Sequence, residues 1–199
     1  MRLTRSAHSG ATSSPSPEEY SRVTNADRFR PLHQHALDLL VRLQASYDVT
    51  QSDTFALVPG LMRPFAHARP PVTLTPAAAD AAPIAIAFTA FPGLVVRCGR
   101  WHSAPFPSYG CDACDETAAG EAERLEDLLG KVVAGLFVEE IRMPLLGDAR
   151  LYGSFGDRTP SGALSAQGWI TVSRDVARVL RGDGPRRIQW RPWPRGDRR

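Results

Sequence analysis

Lysine is almost missing from this sequence: among 24 basic residues in a chain of 199, Lys131 is the one lysine. Such an arginine skew accompanies GC-rich coding, so arginine content alone is weak evidence for nucleic-acid binding. Long apolar runs are also missing. None approaches the roughly 20 residues needed to cross a bilayer, which excludes a spanning helix. Residues 1–20 lack the apolar stretch of about 7 to 15 residues that marks a signal peptide, and a reducing cytoplasm is the expected compartment. Cysteine occurs only at Cys98, Cys111 and Cys114. An odd count without a leader points to thiols or metal ligands, not to a disulfide framework. No G-x-G-x-x-G, P-loop, H-E-x-x-H or G-x-S-x-G pattern occurs, and Gly153-Ser154-Phe155-Gly156 has the wrong spacing for a nucleophile elbow.

The composition that remains, 43% hydrophobic and 23% charged with a net charge of +3, suits one soluble globular domain with a packed core. Residues 1–24, rich in Ser, Thr, Ala and Pro, carry too few large apolar side chains to offset the entropy of ordering and are expected to form a disordered arm. A single domain is expected over 25–193, followed by a flexible basic tail, 194–199. Asp27 is a candidate N-cap and Pro31 suits a first helical turn. Phe29, Leu32, Ala36, Leu40, Leu43 and Tyr47 then recur at helical spacing and form one buried stripe.

The next stretch, Gln51 to Pro83, reads as Pro- and Ala-rich loop with a short edge strand at Val72–Thr75, His67 lying in the loop. Ile84–Phe88 and Leu94–Arg97 flank the turn Phe91-Pro92-Gly93 and predict a β-hairpin; Gly93 is expected to supply a turn conformation that a side chain would resist. A second helix is predicted over Thr117–Ala134, a second hairpin from Leu136–Met143 and Ala149–Phe155, a short helix capped by Ser173, and a closing strand Arg187–Trp190. Two main helices beside sequential hairpins predict an α+β fold with an antiparallel sheet packed against the helices.

The segment with potential chemistry is Cys98-x3-His102-x8-Cys111-x2-Cys114. Zinc favours tetrahedral Cys/His sets of this kind, and two cysteines separated by two residues can chelate from one tight loop. A lone C-x-x-C is nevertheless common, and the second pair of a zinc ribbon is absent. The competing reading makes Cys98 a core residue at a strand end, His102 a surface or capped residue, and Cys111 and Cys114 unliganded thiols at a helix entrance. A redox C-x-x-C is a third reading, opposed by Asp112, Asp115 and Glu116, which disfavour a thiolate. His33 and His35, two apart on a helix, face different ways and read as helix-surface residues. Glu139 and Glu140 lie adjacent on a strand, where side chains alternate, and read as one solvated and one salt-bridged residue.

The segments Ala87-Phe88-Thr89-Ala90-Phe91-Pro92-Gly93-Leu94, Gly99-Arg100-Trp101-His102 and Gly110-Cys111-Asp112-Ala113-Cys114-Asp115-Glu116 resemble an uncharacterised family of GC-rich bacteria, domain of unknown function 6226. Tyr47-Asp48-Val49 and Gln189-Trp190-Arg191-Pro192 are similar to it as well. The resemblance covers most of the chain after about Arg28 and implies a single domain without implying an activity. In that family a third cysteine often stands where this chain has Tyr109, and Cys98 is often another residue.

Pro185–Arg199 interleaves arginines with Trp190 and Trp193, the chemistry of a single-strand nucleic-acid contact. Trp190 on a strand and Trp193 between prolines read more simply as core and chain-end packing, so nucleic acid is disfavoured as a partner. The expected role is therefore a non-catalytic cytoplasmic binding domain for another protein. The alternatives are a zinc-binding protein that uses Cys98, His102, Cys111 and Cys114, or an enzyme with a cleft near Trp101 and His102.

Overall fold

A computed structural model describes residues 22–58, 61–156, 164–166 (backbone only) and 170–196. The greater part of the expected N-terminal arm, residues 1–21, lies outside the described residues. A 3-10 turn, Ala26–Phe29, leads into helix α1, Pro31–Ser46. Pro31 occupies the first helical turn as predicted, but Asp27 is no cap; its carboxylate pairs with Arg30 at 2.6 Å. Leu32, Ala36, Leu39, Leu40 and Leu43 form the buried face of α1.

Five strands follow: β1 (Val49–Ser52), β2 (His67–Pro76), β3 (Ile84–Thr89), β4 (Leu94–Cys98) and β5 (His102–Phe106). They form an antiparallel sheet in sequence order. Two corrections arise here. The short edge strand expected at Val72–Thr75 is a ten-residue inner strand that begins at His67, with β1 outside it. Pro70 and Pro71 mask it in the sequence because proline removes ladder donors, and the register shifts between Arg69 and Val72 absorb them. The segment after Cys98, where no strand is predicted from the sequence, turns at Gly99–Trp101 and returns as β5, placing His102 opposite Cys98.

Helix α2, Ala118–Val133, starts at Thr117, whose hydroxyl accepts from the Gly120 N–H, and buries Leu125, Leu128, Leu129, Val132 and Val133. The second antiparallel sheet contains β6 (Phe137–Arg142), β7 (Ala149–Gly156), β8 (Leu164–Ala166), β9 (Ile170–Val172) and β10 (Arg187–Gln189). Its order is β10-β6-β7-β8, and β9 pairs with β7 near that strand's other end. Helix α3, Arg174–Arg181, is capped by the Ser173 side chain as predicted. The fold is α+β, with antiparallel hairpins and helices, and the strands divide into two sheets.

Two apolar clusters result. The larger joins α1 and α2 to the first sheet and to Phe137 and Phe155 of the second. The smaller gathers Val58, Trp101, Ile141, Ala149, Leu151, Val172 and Ala177 beneath α3. Trp190 and Trp193 are buried, so neither ring is presented as a stacking platform. The expected flexible tail is tied down as far as Gly196: Asp48 donates to Pro194 O at 2.9 Å and Gly196 donates to Ser46 O at 3.2 Å. No helix among the described residues is long and apolar enough to cross a membrane.

The first hairpin forms where predicted, but Gly93 serves it differently. Its φ is not positive; what it provides is close approach, because a Cβ there would lie 2.6 Å from the Phe106 carbonyl oxygen. The Gly93 carbonyl in turn accepts from the Thr89 N–H and approaches His33 Nε2 at 2.9 Å, which pins the turn to α1 and draws His33 in from the surface. Gly93→Val should therefore overpack the junction with β5 and lower stability by about 1–3 kcal/mol. Thermal unfolding monitored by circular dichroism would show this as a drop of several degrees in Tm, whereas an unchanged Tm would refute the close-approach role.

Candidate functional site

Strand β6 alternates. Phe137, Glu139 and Ile141 share one phase, Val138, Glu140 and Arg142 the other. Phe137 belongs to the larger apolar cluster and Ile141 to the smaller, so Glu139 lies between the two. Its side chain is fully buried. One carboxylate oxygen accepts the backbone N–H groups of Trp101 (2.9 Å) and His102 (3.1 Å), the other accepts Arg100 N–H (2.9 Å) and Trp190 Nε1–H (3.0 Å). Glu139 thus fastens the β4–β5 turn of the first sheet and the closing Trp190 to the second sheet. Expected to be solvated or salt-bridged, it is neither; Glu140 is the salt-bridged residue, between Arg142 and Arg187. The missed signal was the period-two phase it shares with Phe137 and Ile141.

Glycines make this close junction feasible. Gly99 has φ +62°, and a Cβ there would overlap the Glu139 carboxylate. Gly153, opposite Glu139 on β7, leaves space that the His102 ring occupies. That ring packs edge-on against Phe155 and Phe137, at centroid distances of 4.9 and 5.7 Å. The smaller helix is docked from the same turn, because Arg100 Nη1 donates to the Arg181 carbonyl at the C-terminus of α3.

The four predicted metal donors fall in two places. Cys98 is buried in the larger core, where burial pushes its thiol pKa upward, and Glu139 adds to that. His102 is also buried rather than at the surface, and its Nε2 has no hydrogen-bond partner among the described residues. Cys111 and Cys114 lie together in the loop before α2, with their sulfurs 3.0 Å apart. Among the described residues no three His, Cys, Asp or Glu side chains cluster so as to hold a metal ion. Trp101 and His102, around which a cleft was expected, are 2% and 7% exposed.

The cysteine loop is held by its carboxylates. Glu116 accepts the N–H groups of Ser108, Tyr109 and Gly110. Asp112 accepts the Thr24 N–H at 2.9 Å and contacts Arg22 and Arg28, while Arg28 Nη2 donates to the carbonyls of Gly110 and Cys111. The hydrogen bond shared with Cys111, burial, and the charges of Glu116 and Asp115 push the Cys114 thiol pKa up to about 11.

The outer face of the second sheet carries a groove of about 980 Å³, bordered by Arg142, Arg150, Arg186, Arg187, Met143 and Leu146. Glu140 and Asp148 are the two carboxylates on its wall. Arg142 and Arg150 stand opposite each other in the β6–β7 register, a like-charge pair that repels unless an anion intervenes. Glu140 partners Arg142 and Arg187, whereas Arg150 and Arg186 have no carboxylate partner among the described residues. At the rim, Leu145 and Leu146 are 97% and 88% exposed. Arg174 holds this turn through the carbonyls of Pro144 and Leu145, at 2.6 and 3.2 Å.

These features define an α+β protein of two antiparallel sheets joined by a buried carboxylate, with a cationic groove on the outer face of the second. The chain belongs to the family described as "Family of unknown function (DUF6226)", which it matches over residues 5–197. No curated protein and no solved structure matches it.

Two predictions concern the junction. Removing the carboxylate in Glu139→Ala would strand four N–H donors, three of them buried and the Arg100 N–H partly so, each buried one worth about 1–3 kcal/mol when unpaired. Denaturant unfolding should therefore show a loss of at least about 3 kcal/mol; a loss below about 1 kcal/mol would contradict the assigned hydrogen bonding. The second concerns pH. Burial lowers the His102 pKa from 6.5 to about 4, so the unfolded chain takes up this proton first as pH falls. Its contribution is complete above pH 6.5 and is lost towards pH 4, amounting to about 3 kcal/mol. Burial raises the Glu139 pKa, which acts in the opposite sense, so the comparison must isolate His102. In His102→Phe the stability lost between pH 6.5 and 4 should shrink; an unchanged pH profile would show that His102 does not titrate as described.

Proposed function

We propose that this protein is a non-catalytic cytoplasmic binding domain whose groove on the second sheet takes an acidic, partly apolar segment of another protein. The observation that carries this reading is the Arg142–Arg150 pair, held in direct opposition on an exposed sheet face beside Arg186, which has no carboxylate partner among the described residues. Among the described residues, four arginines and two carboxylates line the groove, an excess of positive charge complementary to Asp- and Glu-rich chain. Guanidinium groups suit such ligands because each can donate two parallel hydrogen bonds to one carboxylate. Leu145 and Leu146 add an apolar rim that water covers poorly, and the Arg174 contacts hold that rim in place before a partner arrives. The absence of common catalytic templates and the burial of Trp101 and His102 favour binding over catalysis in this reading.

The probe is a fluorescent peptide of alternating Glu and Leu, titrated with the full chain and followed by anisotropy. Binding should weaken with added salt, and reversal of Arg150 and Arg186 to Glu should reduce affinity at least tenfold. Leu146→Ser should weaken binding to a smaller degree. Equal affinity of parent and charge-reversed chains would overturn the proposed groove. Turnover of generic ester, phosphate or peptide substrates that His102→Ala abolishes would instead favour an enzyme.

A further inference from the structure

We propose that Cys111 and Cys114 form a reversible intramolecular disulfide that governs how firmly the N-terminal segment around Arg22–Arg28 is clasped to the body of the protein. The two sulfurs already lie 3.0 Å apart. The Cys114 N–H donates to the Cys111 carbonyl at 3.3 Å, closing a four-residue turn. A turn of that type keeps its end Cα atoms within about 7 Å, the separation that a disulfide requires. Cys111 is buried and Cys114 is half-exposed, so one sulfur is reachable from solvent and the other can resolve an adduct formed on it. Cys98 lies fully buried in the core, away from this exchange.

The consequence follows from what stands between the two cysteines. Asp112 holds Arg22 and Thr24, and its own N–H donates to the Arg22 carbonyl at 2.9 Å. The Cys111 carbonyl accepts from Arg28 at 3.0 Å. A covalent bond across the turn restricts the loop motions by which these contacts open. It is therefore a local lock on the segment that leads into α1. The high thiol pKa of Cys114 makes exchange slow at neutral pH, which suits an occasional lock more than a rapidly cycling oxidoreductase.

The oxidant is a low-molecular-weight disulfide of the glutathione class. The Cys114 thiolate attacks one sulfur of that disulfide, forming a mixed disulfide and releasing one small thiolate. The Cys111 thiolate then attacks the Cys114 sulfur, forming the internal bond and releasing the second small thiolate. The protein loses two electrons and two protons, and the small disulfide becomes two thiols.

The full chain would be equilibrated in glutathione buffers from fully reduced to fully oxidised, acid-quenched, unfolded and alkylated. Mass mapping should show alkylatable cysteines falling from three to one, loss of two hydrogens from the peptide containing Cys111 and Cys114, and reversal by dithiothreitol. In Cys111→Ser a glutathione adduct should accumulate at Cys114, because no resolving thiol remains. Limited trypsin cleavage after Arg22 and Arg28 should be at least threefold slower in the oxidised than in the reduced chain, with no such difference in Cys111→Ser. Persistence of all three thiols in oxidised buffer would overturn the proposal. So would a stable glutathione adduct on the parent chain, or a disulfide that leaves the cleavage rate unchanged.

Discussion

A single buried carboxylate holds the two halves of this structure in register. Burying an ionised group costs several kcal/mol unless its hydrogen-bonding capacity is met. Glu139 meets it with four N–H donors, two on each oxygen. Three come from consecutive backbone positions of one tight turn, and the fourth from the Trp190 indole. Burial pushes the pKa of Glu139 up, and the four donors oppose that rise because each favours the ionised form. The carboxylate also satisfies N–H groups that would otherwise be orphaned where the β4–β5 turn meets the second sheet. A hydrocarbon at this position would keep the packing and lose the polar accounting.

The glycines and the histidine around it follow from that constraint. Gly99 lets the turn come close enough for its amides to aim at one point, and Gly153 leaves the second sheet open for the His102 ring. The ring then fills the junction as an aromatic body between Phe137 and Phe155. A chain of contacts thereby runs from β4 through the carboxylate to β6 and, through Arg100, to the end of α3.

Local signals made much of this architecture readable. The α1 stripe, the start of α2 near Thr117, the Ser173 cap and both hairpins rest on patterns within a dozen residues, and the structure has them where those patterns placed them. The losses occurred where two signals conflicted or where the partner was distant in sequence. Pro70 and Pro71 concealed the outer half of β2, and Pro105 together with the Gly99 turn concealed β5. Glu139 was read by its charge when its phase with Phe137 and Ile141 placed it inside; its donors lie some 40 to 50 positions away in sequence, outside any motif. The C-x-x-C pair was legible as a local unit. Its separation from Cys98 and His102 was not, because that depends on β4 and β5 pairing as neighbours and burying both residues.

The same strand that buries Glu139 also displays the groove. Side chains on β6 alternate, so fixing Glu139 inward fixes Glu140 and Arg142 outward, where they meet Arg187 and Arg150 across the neighbouring strands. A slip of one residue would exchange the two glutamates and dissolve both features at once, since a period-two pattern reverses its faces under such a shift. The adjacent pair Glu139-Glu140 is therefore not a duplicated surface charge. One carboxylate sets the register by satisfying buried amides, while the other separates arginines on the exposed face. The cationic surface depends on the buried anion for its geometry, even though the two lie on opposite sides of the sheet.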